Sequence, residues 1–210
     1  MSTPENDLGF AHRFISGREG GLTLLLLHGT GGNEEDLIPL GREIAPEAGI
    51  LSPRGKVIEN GMPRFFRRFG EGKFDTEDLK FRARELADFV LAASKRYKFY
   101  LKRLVAVGYS NGANIAASML LLRPDSLSGA ILFRAMLPLV PETLPDLSSK
   151  RVFLSSGKYD EIIPKKNAEQ LSELLRKAGA KVEMNWNPAN HALTETELKL
   201  AGAWLSNLAL

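Results

Sequence analysis

The 210-residue sequence contains no cysteine. That absence excludes disulfides, thiolate metal sites and a cysteine nucleophile, and nothing in the chain calls for an oxidising compartment. Histidine is scarce as well. His12, His28 and His191 are the only three, so any imidazole chemistry must come from one of them. No apolar run approaches the roughly 20 residues that cross a bilayer. The opening residues Met1 to Asp7 carry acids where a signal peptide would carry bases and then an apolar stretch. The expectation is a cytoplasmic protein with no membrane partner. A strong charge of one sign is also missing: the net charge is +3, with lysines and arginines scattered among acids, which gives no field for nucleic acid. The densest basic spot, Arg64–Phe65–Phe66–Arg67–Arg68–Phe69, interleaves bases with aromatics as nucleic-acid surfaces do. It reads better as a loop with buried phenylalanines and solvated arginines, because no neighbouring segment extends it.

What the chain does contain is a repeated alternation of short apolar runs and amphipathic stretches. Phe10 to Gly17 reads as an edge strand, and Leu22 to Leu27 as a strand buried on both faces. Ile50–Leu51–Ser52–Pro53, Leu104 to Val107, Gly129 to Phe133, Arg151 to Ser155 and Lys181 to Trp186 continue the series. Between them, Asn33 with Asp36 suggests a capped helix running towards Ala45, and Glu77 to Tyr97 carries Leu79, Ala83, Leu86, Val90 and Ala93 along one face. Lys165 to Ala178 is a helix closed by Gly179, and Thr194–Glu195–Thr196–Glu197 is a capping box for a last helix. Residues 54–76 show no clear period; a connection of that length in a compact domain is usually functional. The pattern predicts one α/β domain over residues 1–210, with residues 1–9 as a flexible tail and about seven strands in a mostly parallel sheet covered by helices on both faces.

The chemistry centres on Gly108–Tyr109–Ser110–Asn111–Gly112. Gly-x-Ser-x-Gly alone is weak evidence. Here a valine-rich strand leads into it and Ala113, Ala116 and Ala117 follow, so the serine sits at the apex of a sharp strand-to-helix turn. A serine hydroxyl needs a base, and the base needs an orienting acid. His12 lies on the edge strand and reads as structural; His28 ends a buried strand and reads as a brace for the glycine-rich loop His28–Gly29–Thr30–Gly31–Gly32–Asn33, which lacks the Gly-Lys-Ser/Thr of a phosphate loop. His191, in the loop before the last helix, is the candidate base. Asp160 follows a buried strand and is the candidate acid, with Glu161 its rival; Asp125 and Asp146 look like turn residues. Ser110, Asp160 and His191 stand in the chain order of α/β-hydrolases. Two backbone N–H groups should hold an oxyanion: that of Asn111 and, from the glycine-rich loop, that of Thr30. Phe65, Phe66 and Phe69 are candidate pocket walls. Arg64, Arg67 or Arg68 is a candidate contact for an anionic substrate group.

The glycine-rich loop, the serine elbow, Gly157–Lys158–Tyr159–Asp160–Glu161–Ile162–Ile163–Pro164 and the late His191 resemble the bacterial phospholipase/carboxylesterase family, related to the acyl-protein thioesterases within the α/β-hydrolases. The resemblance runs from about Leu22 to the carboxyl end. It implies the α/β-hydrolase fold with no large lid domain and a serine esterase, with Ser110, Asp160 and His191 as triad and the Thr30 and Asn111 amides as oxyanion hole; the few residues beyond the core fold leave little room for a lid and point to small to medium esters. It implies no metal or cofactor, and it makes a homodimer plausible. A thioesterase or lysophospholipase activity, or a non-catalytic ligand-binding role, are the alternatives. Two departures stand out. Asn190 occupies the position where relatives commonly have glycine, and phenylalanines stand in the 64–69 loop where some have tryptophan.

Overall fold

The computed structural model describes residues 8–208. Of the expected tail, residues 1–7 lie outside the described residues, whereas Leu8 packs against the core. Seven strands form one sheet: β1 (His12–Ile15), β2 (Thr23–Leu27), β3 (Gly49–Pro53), β8 (Leu104–Tyr109), β9 (Gly129–Phe133), β10 (Arg151–Gly157) and β11 (Lys181–Asn187). Their spatial order is β1-β3-β2-β8-β9-β10-β11. Only β1 runs antiparallel, against β3; every other pairing is parallel. This is the α/β-hydrolase-like sheet that the sequence predicts.

The period-2 geometry of a strand divides β2 between two cores. Leu25 and Leu27 face α2 (Thr76–Tyr97), α3 (Asn111–Leu122) and α4 (Lys165–Lys177); Leu24 and Leu26 face α1 (Ile38–Ile44) and α5 (Glu195–Ser206). Both faces of the strand are therefore apolar, and both sets are fully buried. Burial of this kind contributes roughly 25 cal/mol per Å² of apolar surface removed from water.

Two expectations are corrected. Asn33 does not cap a helix. Its Oδ1 accepts from the Glu35 N–H at 2.7 Å, a side-chain turn that holds the chain back until α1 starts at Ile38, with Pro39 in its first turn. The second correction concerns residues 54–76, which are not structureless. They hold two small antiparallel hairpins, β4 (Val57–Glu59) with β5 (Met62–Arg64), and β6 (Arg68–Gly70) with β7 (Lys73–Phe74). Asn60 and Gly61 make the first hairpin's turn, with φ of +51° and +78°, the left-handed pair that Asn-Gly supplies with little strain.

The close approach of α3 to the sheet fixes the serine elbow. A Cβ on Gly112 would lie 1.9 Å from the Leu27 carbonyl oxygen, and one on Gly108 would lie 2.5 Å from the Gly112 carbonyl oxygen. Neither clash can be relieved by a side-chain rotation, because both involve backbone. Gly112→Ala should therefore destabilise the fold by several kcal/mol, on the order of the largest single-site effects. Gly70→Ala, where no atom lies within 4 Å of the new Cβ, should change the urea midpoint little. Equilibrium urea unfolding of both variants checks the contrast.

Candidate active site

Ser110 is the residue between β8 and α3. Its φ of +51° and ψ of −112° lie outside the regions that non-glycine residues normally occupy. Its N–H is tied to the Phe133 carbonyl at 2.9 Å, which holds that strained backbone against β9. The hydroxyl lies 3.1 Å from His191 Nε2, and His191 Nδ1 lies 2.8 Å from Asp160 Oδ2. The three residues named from sequence, far apart in the chain, are thus brought into one hydrogen-bonded line. With Nδ1 donating to the carboxylate, Nε2 is left as acceptor for the serine proton.

Asp160 has a side chain only 1% exposed. Its second oxygen accepts from the N–H groups of Ile162 and Ile163 at 2.9 and 3.0 Å, so the turn fixes the carboxylate. Glu161, its rival, instead lines the open cleft of about 380 Å³ beside His191, together with Tyr159, Ile162, Asn190 and Ala192. Tyr109 completes the setting. Its hydroxyl donates to the His191 carbonyl at 3.1 Å, and burial pushes its ionisation up, so it stays a donor.

Of the oxyanion candidates, Asn111 follows Ser110 directly, and Thr30 follows Gly29, which lies against the Tyr109 ring. Among the described residues, neither the Thr30 N–H nor the Asn111 N–H has an acceptor. The surrounding loop is held from several sides. The Gly31 N–H donates to the Pro63 carbonyl at 2.9 Å, Arg64 Nη1 donates to Thr30 Oγ1 at 2.6 Å, and Asn111 Oδ1 accepts from the Phe65 N–H at 2.8 Å. His28 acts as a brace. Nδ1 donates to the Gly29 carbonyl at 2.6 Å and Nε2 accepts from the Gly55 N–H at 3.0 Å, while burial lowers its basicity and favours that neutral form. His12, fully buried, hydrogen-bonds the Phe10 carbonyl and the Tyr97 hydroxyl.

The expected pocket residues need correction. Phe65 and Phe66 are 3% and 0% exposed and pack in the core, so a substrate cannot reach their rings. Nor are the arginines free for an anion. Arg67 pairs with Asp75 at 3.0 Å and with Asp78, and Arg64 and Arg68 share Glu59 at 3.3 and 3.1 Å. The walls near the site are other residues: Met62, whose side chain lies over Gly31, and Tyr159 and Ile162 beside His191. Asn190 fits where relatives commonly have glycine because its φ is not positive; its Oδ1 accepts from the Ala192 N–H at 2.9 Å and shapes the turn itself.

One group escaped the sequence reading entirely. Arg134 follows β9 inside the run Ile131–Leu132–Phe133–Arg134–Ala135–Met136–Leu137 and is 0% exposed. A lone arginine in so apolar a run is itself a signal, because a buried charge needs a partner. That partner is Glu197, which the sequence identified only as a capping residue. Among the described residues, no cluster of three or more His, Asp or Glu could hold a metal ion, and no helix is long and apolar enough to cross a membrane.

The chain matches the Dienelactone hydrolase family over residues 68–203. It is 51% identical to the Bacillus subtilis (strain 168) protein MhqD, a hydrolase by name, over 86% of this chain and 90% of that one. Among solved structures it resembles the Bacillus cereus carboxylesterase, with a TM-score of 0.93, 47% identity and coverage of 96% of this chain and 95% of that one. A carboxylesterase from Mesorhizobium loti matches with a TM-score of 0.89 and 30% identity, over 98% of both chains. The carboxylesterase resemblance read from the motifs agrees with these neighbours.

Acid should unfold this arrangement in a defined window. The Arg54 hydrogen bonds hold Glu34 below the usual carboxylate range. Burial alone would raise Glu197, but hydrogen bonds from Arg134 and Ser155 outweigh it and leave it lowered. A depressed folded value stabilises the protein above the unfolded-chain value, about 4.3 for glutamate, and that stability is lost as pH falls through the folded value. Urea midpoints should therefore hold from pH 7 to about 5 and drop steeply below about 4. Glu34→Gln should flatten part of that drop.

Proposed function

The chain belongs to the dienelactone hydrolase family of α/β-hydrolases, and from that premise we propose that it is a serine carboxylic-ester hydrolase working through an acyl-enzyme. The observation that carries the reading is the Ser110–His191–Asp160 hydrogen-bonded line beside two N–H groups without acceptors.

In this mechanism His191 Nε2 takes the Ser110 proton as Oγ bonds to the ester carbonyl carbon. The C=O electron pair moves onto oxygen, where the Thr30 and Asn111 N–H groups receive it. One such donor is worth about 10²–10³ in rate. The tetrahedral intermediate collapses, the C–O bond to the alcohol breaks, and the imidazolium gives its proton to the leaving oxygen. Water then loses a proton to His191 and attacks the acyl carbon; acid is released and Ser110 recovers its hydrogen. Asp160 keeps Nδ1 protonated and offsets the imidazolium charge at both stages. No step draws on a metal or cofactor.

The surroundings favour a neutral, small to medium ester. Arg64, Arg67 and Arg68 are each paired with a carboxylate, while Met62, Tyr159 and Ile162 give the entrance apolar surface. A desolvated anion would have to compete with Glu59 or Asp75 for its cation, whereas an apolar acyl chain gains contact area directly.

Initial rates on p-nitrophenyl esters of increasing acyl length test the reading. Wild type should turn over and Ser110→Ala should lose all detectable turnover. Asp160→Asn should lose about 10³–10⁴ in kcat with its fold intact by circular dichroism. Equal rates in wild type and Ser110→Ala would overturn the assignment. Turnover of thioesters but not of oxygen esters would move the activity to a thioesterase. Arg67→Ala should leave KM unchanged for neutral and anionic esters alike.

A further inference from the structure

The group that escaped the sequence reading sits behind the histidine loop. Arg134 has left-handed backbone, with φ of +55°, and its Nη1 lies 3.5 Å from the carbonyl oxygen of Ser155 on β10. Its guanidinium donates from Nε to the Asn190 carbonyl at 3.0 Å and from Nη2 to the Ala192 carbonyl at 2.6 Å. Those carbonyls flank His191 on either side. Nε also lies 3.9 Å from Asp160 Oδ2, the oxygen that receives the imidazole N–H. The other edge of the guanidinium meets Glu197 through both terminal nitrogens, the Nη2–Oε2 bond being 2.8 Å.

Glu197 is itself held fast. Oε2 accepts from the Thr194 N–H and hydroxyl, each at 3.0 Å, and Oε1 accepts from the Ser155 hydroxyl at 2.7 Å. Asn187 Nδ2 in turn donates to Ser155 Oγ at 2.8 Å. The cation is thus anchored to β10, β11 and α5, and every donor it extends beyond Glu197 reaches a carbonyl.

Resting on the esterase reading, we infer that Arg134 is a positioning residue for the proposed reaction: it clamps the peptide groups on both sides of His191 and keeps the imidazole between Ser110 and Asp160. Three features support this over a purely structural ion pair. A pair serving only α5 would need just the Glu197 edge of the guanidinium, yet Nε and Nη2 also serve the histidine loop. Loop 188–194 lies between β11 and α5 with few apolar anchors; Pro188, Asn190 and Ala192 are exposed. Only an arginine fork spans two carbonyls and a carboxylate in one plane, which a lysine ammonium cannot do. Glu197 supplies the opposite charge, so the clamp does not leave an uncompensated cation beside the proton that His191 must accept.

The test compares wild type, Arg134→Lys and the double variant Arg134→Met/Glu197→Gln, with Ser110→Ala as control. Arg134→Lys retains the charge opposite Glu197, and the double variant replaces the buried pair with neutral groups of similar length, so neither leaves a lone buried charge. Thermal unfolding, kcat and KM on a neutral p-nitrophenyl ester, and amide hydrogen exchange across the chain are measured together. The expected result is a folded protein whose kcat falls about 10²-fold with KM within about twofold, the cost of misplacing a catalytic group by about 1 Å. Exchange should accelerate in residues 188–194 and stay unchanged in the sheet.

A folded variant with wild-type kcat overturns the inference. So does exchange that accelerates evenly through sheet and loop, or failure of both variants to fold, since either assigns Arg134 to the scaffold. If Ser110→Ala retains the wild-type rate, the esterase reading fails by itself. In that case the exchange data still decide whether Arg134 orders the His191 loop.

Discussion

The first turn of α3 rests on the carbonyl ends of β2 with no side chain between them, and the rest of the site follows from that contact. A methyl group at Gly112 would sit inside the Leu27 carbonyl. The helix can come this close only because the elbow is nearly stripped of Cβ atoms, and the one residue at its apex that has a side chain must take a left-handed φ. Ser110 is therefore pushed out at the carboxyl edge of the sheet, while its N–H is held by Phe133 on the neighbouring strand. The same contact brings the His28–Asn33 loop, which continues β2, beside the amino end of α3. There the N–H groups of Thr30 and Asn111 have no acceptor among the described residues, and the positive end of the helix dipole adds to the one at the start of α3.

Around that rigid centre several arginines are paired with acids. Arg54 is taken up by Glu34, Arg64 and Arg68 by Glu59, Arg67 by Asp75, and Arg134 by Glu197. The exposed pairs contribute little to stability, about 0–1 kcal/mol each. The buried Arg134–Glu197 pair is different in kind. Its desolvation penalty is large, and a hydrophobic replacement of the same shape can be as stable or more so. On the inference above, what distinguishes it is the spare donors that reach the loop carrying His191.

Most of the frame was legible in the chain. A parallel sheet writes itself as apolar runs such as Leu22 to Leu27, and the elbow is readable because Gly108, Ser110 and Gly112 must occupy fixed positions around a tight turn. His191 could be found by elimination, since the other two histidines belong to a strand and to a strand end. The residues 54–76 were less readable because strands of two or three residues are too short to show alternation. The Asn60–Gly61 pair was nevertheless a hairpin signal in plain view. Phe65 and Phe66 were misread as pocket walls because aromatics near a site look the same in sequence whether they face the ligand or the core. Arg134 signals burial in the sequence but not its partners, for a related reason. A motif search follows residues that touch substrate, whereas Arg134 reaches only carbonyls and carboxylates, whose positions depend on how three distant segments come together.

The wide spacing of Thr30, Ser110, Asp160 and His191 along the chain bears on biosynthesis. The sheet places β8 and β9 at its centre, between β2 and β10, so no two of these residues meet until non-local strand pairings have closed. His191 and Glu197 both follow β11 in the chain, and α5 covers one face of the sheet. A chain still emerging from the ribosome thus carries Ser110 long before it carries His191. On the esterase reading, Ser110 gains its base only once the segment after β11 has folded back beside the end of β8.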